Sequence, residues 1–122
     1  KAPVFAAEFA LDALIGIGEV VPVYQPTPIY PAVPRDLAVV VDKAMEVGKL
    51  EAAIRSAEPA YLKAISVFDI YEGLQVGVGK KSVAFSLTFQ ADDQTLTDDL
   101  VQAEMNKIVA ALERDCQGQL RA

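Results

Sequence analysis

A chain of 122 residues has room for one domain and one modest core. With 52% hydrophobic and 23% charged residues it is not a disordered segment, and no apolar stretch approaches the length needed to cross a bilayer. Seventeen acids against eleven bases give a net charge of −6, which argues against a purely electrostatic nucleic-acid binder. Any such contact has to rest on a local basic patch and specific base contacts, with a shallow salt dependence.

The single cysteine, Cys116, rules out an internal disulfide and leaves no soft partner for a structural zinc site, in keeping with a reducing cytosol. Histidine is absent, which removes the usual neutral-pH general base and the commonest metal ligand. A self-contained enzyme is therefore the least favoured class. No metal site is expected.

The chain starts at Lys1 without a methionine, and Val4 to Leu11 already read as a strand. Residues 1–21 are expected to be the tail of a preceding domain, with a helical turn near Asp12 to Ile15 and a break at Gly16 and Gly18. Five prolines (Pro22, Pro26, Pro28, Pro31 and Pro34) make residues 22–35 an extended linker, since this density opposes both a helix and a central strand.

Residues 36–122 follow a regular pattern. Leu37 to Val41, bounded by Asp36 and Asp42, suit a buried strand. Val47, Leu50, Ala53, Ile54 and Ala57 recur at helical spacing, and Pro59 closes that helix. Leu62 to Glu72 returns to a period of two, with the adjacent Val67 and Phe68 hinting at a bulge. Gly73, Gly77 and Gly79 mark a hairpin loop, and Ser82 to Gln90 alternates with Val83, Phe85, Leu87 and Phe89 on one side. Thr97 is a good N-cap for a helix reaching about Asp115, with Asp98 and Asp99 in its positive first turn. Gln117 to Ala122 offers a short closing edge strand. The order is βαββαβ, which predicts an α+β, ferredoxin-like fold: an antiparallel sheet with two helices on one face and the second strand at an edge.

Alternation within Phe68-Asp69-Ile70-Tyr71 sends Asp69 and Tyr71 to the same face. An acceptor-only carboxylate beside a flat ring suits a planar, donor-bearing ligand such as an exposed guanine. Spacing alone favours a half-buried strand tyrosine and a solvated acid over such a site.

Four segments in this order resemble a known family, the ferredoxin-fold anticodon-binding domain at the C-terminus of the bacterial phenylalanine-tRNA ligase beta subunit. They are Tyr30 to Ala38, Phe68 to Tyr71, Gly79 to Ala84 and Thr95 to Asp98, across roughly residues 29–121. The resemblance implies a tRNA(Phe) anticodon stem-loop as partner, with the first anticodon base, a guanine, read by Asp69, Tyr71 and Ser82. Lys80, Lys81 and Arg35 are then the candidate phosphate contacts, although each reads equally well as ordinary surface charge, and Arg35 has the further option of pairing with Asp36 or capping the sheet end. The resemblance further implies that the parent enzyme uses ATP and Mg in an α2β2 assembly with an alpha subunit, while this fragment carries no cofactor or catalytic site. Two departures from the family pattern are Leu100, where an acid is common after the helix start, and a tail less apolar than expected. The rival from another class is a ferredoxin-like regulatory or protein-interaction module, which fold alone does not distinguish.

Overall fold

The computed structural model describes residues 2–15, 24 and 26–121. The expected Gly16/Gly18 break and the Pro22 end of the linker lie outside them. Residues 2–10 form no strand, against the expectation for Val4 to Leu11. None of the described strands pairs with this segment, and Val4, Phe5 and Phe9 stay exposed. The helical turn is present as α1 (Leu11–Ile15), also without buried residues.

From Val33 onward the elements are β1 (Val33–Asp42), α2 (Val47–Ser56), β2 (Leu62–Tyr71), β3 (Lys80–Phe89), α3 (Asp98–Cys116) and β4 (Gln119–Leu120). A single 3-10 turn, Leu74–Val76, sits in the β2–β3 hairpin. The four strands form one antiparallel sheet in the order β2-β3-β1-β4, which is the ferredoxin-like plan.

The core lies between one sheet face and the two long helices. Leu37, Val39 and Val41 of β1 and Val83, Phe85, Leu87 and Phe89 of β3 meet Leu50 and Ile54 of α2 and Val101, Ile108 and Leu112 of α3. Both helices therefore cover the same face, and the alternate residues of the strands form the other one.

β1 begins at Val33 and takes in Pro34, inside the segment expected to be linker. Pro34 is tolerated because β4 pairs only with Val39 and Val40, so this end of β1 is an edge where a missing N–H costs nothing. At the other end of the domain, Thr97 caps α3 by accepting from the Leu100 N–H, and Gln117 closes the helix in the left-handed conformation. Gly118 then passes so close to Val39 that a Cβ would lie 2.6 Å from its Cγ2. This close approach lays Gln119 to Arg121 along β1.

Candidate nucleic-acid interface

β2 is not a regular strand, and its irregularity decides where the candidate residues point. Val67 pairs with Phe85 and Asp69 with Ala84, so Phe68 is an extra, unpaired residue. Val67 packs against the core. Strict alternation from Val67 would carry Asp69 and Tyr71 to that same side. The bulge absorbs one residue and turns them to the opposite face. Phe68 itself is 59% exposed, which is what an inserted residue without a partner permits.

Across the free face, Tyr71 lies opposite Ser82, and Ser82 in turn lies opposite Val40. Directly paired residues share a face, so Asp69, Tyr71 and Ser82 are brought together there. The floor beside them includes small side chains, Ala38 on β1, Ala84 and Ser86 on β3 and Ser66 on β2, with Val40 and the exposed Asp36 of β1 in the same rows. A planar ligand can approach such a floor closely. Asp69 is exposed, and its carboxylate forms no ion pair with any described residue, so its lone pairs are open. Tyr71 is half-buried, with its hydroxyl edge against Gly73, where a Cβ would stand 2.3 Å from Oη. Ser82 is only 3% exposed, sitting lower than its two neighbours in the same row.

The cations divide between the faces. Lys80 shares the parity of Ser82, whereas Lys81 shares that of Val83 on the helix side, at the end of the sheet. The structure does not bring Arg35 to the free face. Arg35 pairs with Leu87, a core position, and its guanidinium donates to Asp98 at the start of α3, with Nη2 to Oδ1 2.5 Å, and to the Pro34 carbonyl at 3.0 Å.

Two further residues join the site. Arg121, just beyond β4, places its guanidinium 5.3 Å from the centroid of the Tyr71 ring, and its Nη2 donates to Gln75 Oε1 at 3.2 Å. Its backbone N–H is fixed to the Ala38 carbonyl at 2.9 Å. The sequence signal for it was the closing Leu120-Arg121 pair, two positions past Gln119 and so of the same parity. Gln75 gave no signal, because its position depends on the 3-10 turn.

Among the described residues, no group of three His, Cys, Asp or Glu side chains is placed to hold a metal ion. No described helix is long and apolar enough to cross a membrane.

A ferredoxin-like sheet leaves one face uncovered, and that face carries an open carboxylate beside an aromatic ring. Comparison with known proteins places this fold in a family. The chain belongs to the ferredoxin-fold anticodon-binding domain family, whose model matches residues 28–121. It is similar to the phenylalanine-tRNA ligase beta subunit of Bacillus subtilis, 43% identical over 117 residues, which is 96% of this chain and 15% of the relative. The same subunit of Bacillus licheniformis is 47% identical over 98 residues, 80% of this chain and 12% of the relative. That of Moorella thermoacetica is 44% identical over 121 residues, 98% of this chain and 15% of the relative. The chain thus spans a small fraction of the length of these relatives.

Proposed function

We propose that this chain binds the anticodon stem-loop of tRNA(Phe) as part of a phenylalanine-tRNA ligase beta subunit and supports aminoacylation without performing it. The observation that carries this reading is the Phe68 bulge, which sets Asp69 and Tyr71 side by side on the uncovered face of the sheet. Asp69 accepts from both donors on the Watson-Crick edge of a guanine, a charge-assisted contact that adenine, cytosine and uracil do not match. Tyr71 stacks on the base, which is worth about 1–3 kcal/mol with little sequence preference.

Ser82, lower in the same row, meets an edge of the base or ribose once the nucleotide has settled against the floor. Lys80 neutralises phosphate beside the pair, and Lys81 does so from the sheet end. Arg35 is engaged with Asp98 on the helix side, so we assign it to anchoring α3 rather than to the RNA path. The contribution to catalysis is remote: binding energy at the anticodon helps place the acceptor end at an active site elsewhere in an assembly with the alpha subunit. ATP and Mg belong to that distant site, and the working compartment is the cytosol.

The reading is tested by fluorescence titration with stem-loops that carry guanine or another base at the stacked position, at two salt concentrations. Replacing the guanine should weaken binding by at least about tenfold, the cost of losing hydrogen bonds to a charged group. The salt slope should be shallow, reporting few released counterions. Equal affinity for all bases would contradict the reading.

A further inference from the structure

The hairpin between β2 and β3 carries an exposure that the base-reading pair does not explain. Leu74 is 93% exposed and Val78 97%, although Val76 between them is buried. The loop is nevertheless well tied. The Val76 N–H donates to the Gly73 carbonyl at 3.1 Å, Gly77 to Leu74 at 3.3 Å, and Lys43 to the Gly79 carbonyl at 2.9 Å. Two aliphatic side chains are thus held out into water by an ordered turn, and both line the same cavity.

These side chains form one wall of an open cavity of about 280 Å³, and Lys43 and Lys80 stand among its other linings. Gly73, which touches the Tyr71 hydroxyl, lies on the rim, so the cavity and the stacking site share a boundary. Lys43 is held by Glu72, Nζ to Oε2 2.6 Å, but both ends are exposed, and such a pair contributes little. A phosphodiester oxygen reaching Lys43 shares the ammonium with Glu72, which also lines the cavity, while Lys80 forms no ion pair with any described residue.

We propose that this cavity is a second nucleotide subsite, taking the residue next to the base stacked on Tyr71, with its phosphodiester on Lys80 and Lys43 and its base against Leu74 and Val78. The proposal rests on the reading of Asp69 and Tyr71 given above. A protein partner fits the hairpin less well, since a specific protein interface buries about 1,200–2,000 Å² and one hairpin tip supplies only a small part of that. A single nucleotide needs one apolar wall and one or two cations. Both are present, in a cavity whose lining includes Gly73, the residue beside the Tyr71 hydroxyl.

The test uses the full-length protein that contains this chain and a stem-loop RNA with guanine at the stacked position. Binding is measured for the unchanged protein, for Leu74→Ser with Val78→Ser, for Lys80→Ala and for Asp69→Asn, and with RNAs made abasic on either side of the guanine. The doubly substituted hairpin should bind about tenfold more weakly, from lost burial of two aliphatic side chains. One of the two abasic RNAs should lose a similar factor, and combining it with the hairpin variant should add little. Lys80→Ala should lower the salt slope by about one counterion. Should the hairpin variant unfold, the abasic RNAs on the unchanged protein still read the subsite: a loss confined to one flank supports it, and none at either flank overturns it. Full affinity of the folded hairpin variant beside a clear loss in Asp69→Asn overturns the subsite and leaves the base reader standing. No loss in either variant overturns both. Full RNA affinity with weakened association of the alpha subunit would make the hairpin a protein contact and overturn the subsite.

Discussion

Asp69 of β2 lies directly across from Ala84 of β3, two pairs past Val67 in chain order but only one pair along the ladder. That mismatch is the Phe68 bulge, and it puts the carboxylate on the free face although Val67 belongs to the core.

Removing Phe68 should therefore be tolerated. A strand without the extra residue alternates regularly from Val67 through Asp69 and Ile70 to Tyr71, keeping each side chain on its present face. Circular dichroism melting of the deletion variant should show a loss of about 1–2 kcal/mol, typical of a single perturbation away from the core. Preference for a guanine stem-loop should survive. Loss of all guanine preference in a folded deletion variant would mean that Phe68 is an integral strand residue.

Tyr71→Ala should weaken stem-loop binding by the stacking contribution, about 1–3 kcal/mol, and leave the fold intact. The ring is half-buried on the face away from the helices, so its removal opens no cavity in the core. Titration together with a thermal melt checks both halves. A large drop in melting temperature would show that the ring is mainly structural.

Glu104 is a buried acid with a structural task. Its Oε2 accepts the Ala60 N–H at 2.8 Å, fixing the turn before β2, and its Oε1 takes Lys107 at 2.7 Å. Glu104→Ala leaves the Ala60 N–H without its partner, which should cost about 1–3 kcal/mol in urea unfolding. Binding of the stem-loop by the folded fraction should not change.

Burial pushes the Cys116 thiol above its ordinary range, and the neighbouring Asp115 charge adds to the shift. A group whose folded pKa lies above its unfolded one contributes full stability below the unfolded value, about 8.5 for a thiol, and loses it as pH rises through the folded value. Unfolding free energy should therefore fall at alkaline pH more steeply in the unchanged chain than in Cys116→Ala. Parallel pH profiles for the two would remove this account of Cys116.

Much of the fold was legible because its signals are local. Thr97 announces α3, Pro59 ends the first long helix, and Val83 to Phe89 alternate without a break. The bulge was visible as the apolar neighbours Val67 and Phe68, and it decides that Asp69 and Tyr71, which share a face by alternation, lie on the uncovered one. Other features depended on contacts between distant segments. Pro34 enters β1 because β4 is too short to reach it, and Arg35 turns to Asp98, 63 positions away. Arg121 meets Tyr71 only because Gly118 passes over Val39 and lays the tail along β1. Residues 2–10 read as a strand from their apolar content but pair with none of the described strands, so pattern and structure part there.

The most direct measurement compares the affinity of Asp69→Asn and the unchanged protein for two stem-loops that differ only in guanine or inosine at the stacked position. Inosine lacks the exocyclic amine, so one of the two donors offered to the carboxylate is already gone. The substitution should weaken guanine binding strongly and inosine binding much less. Equal losses for the two RNAs would contradict a two-donor contact at Asp69.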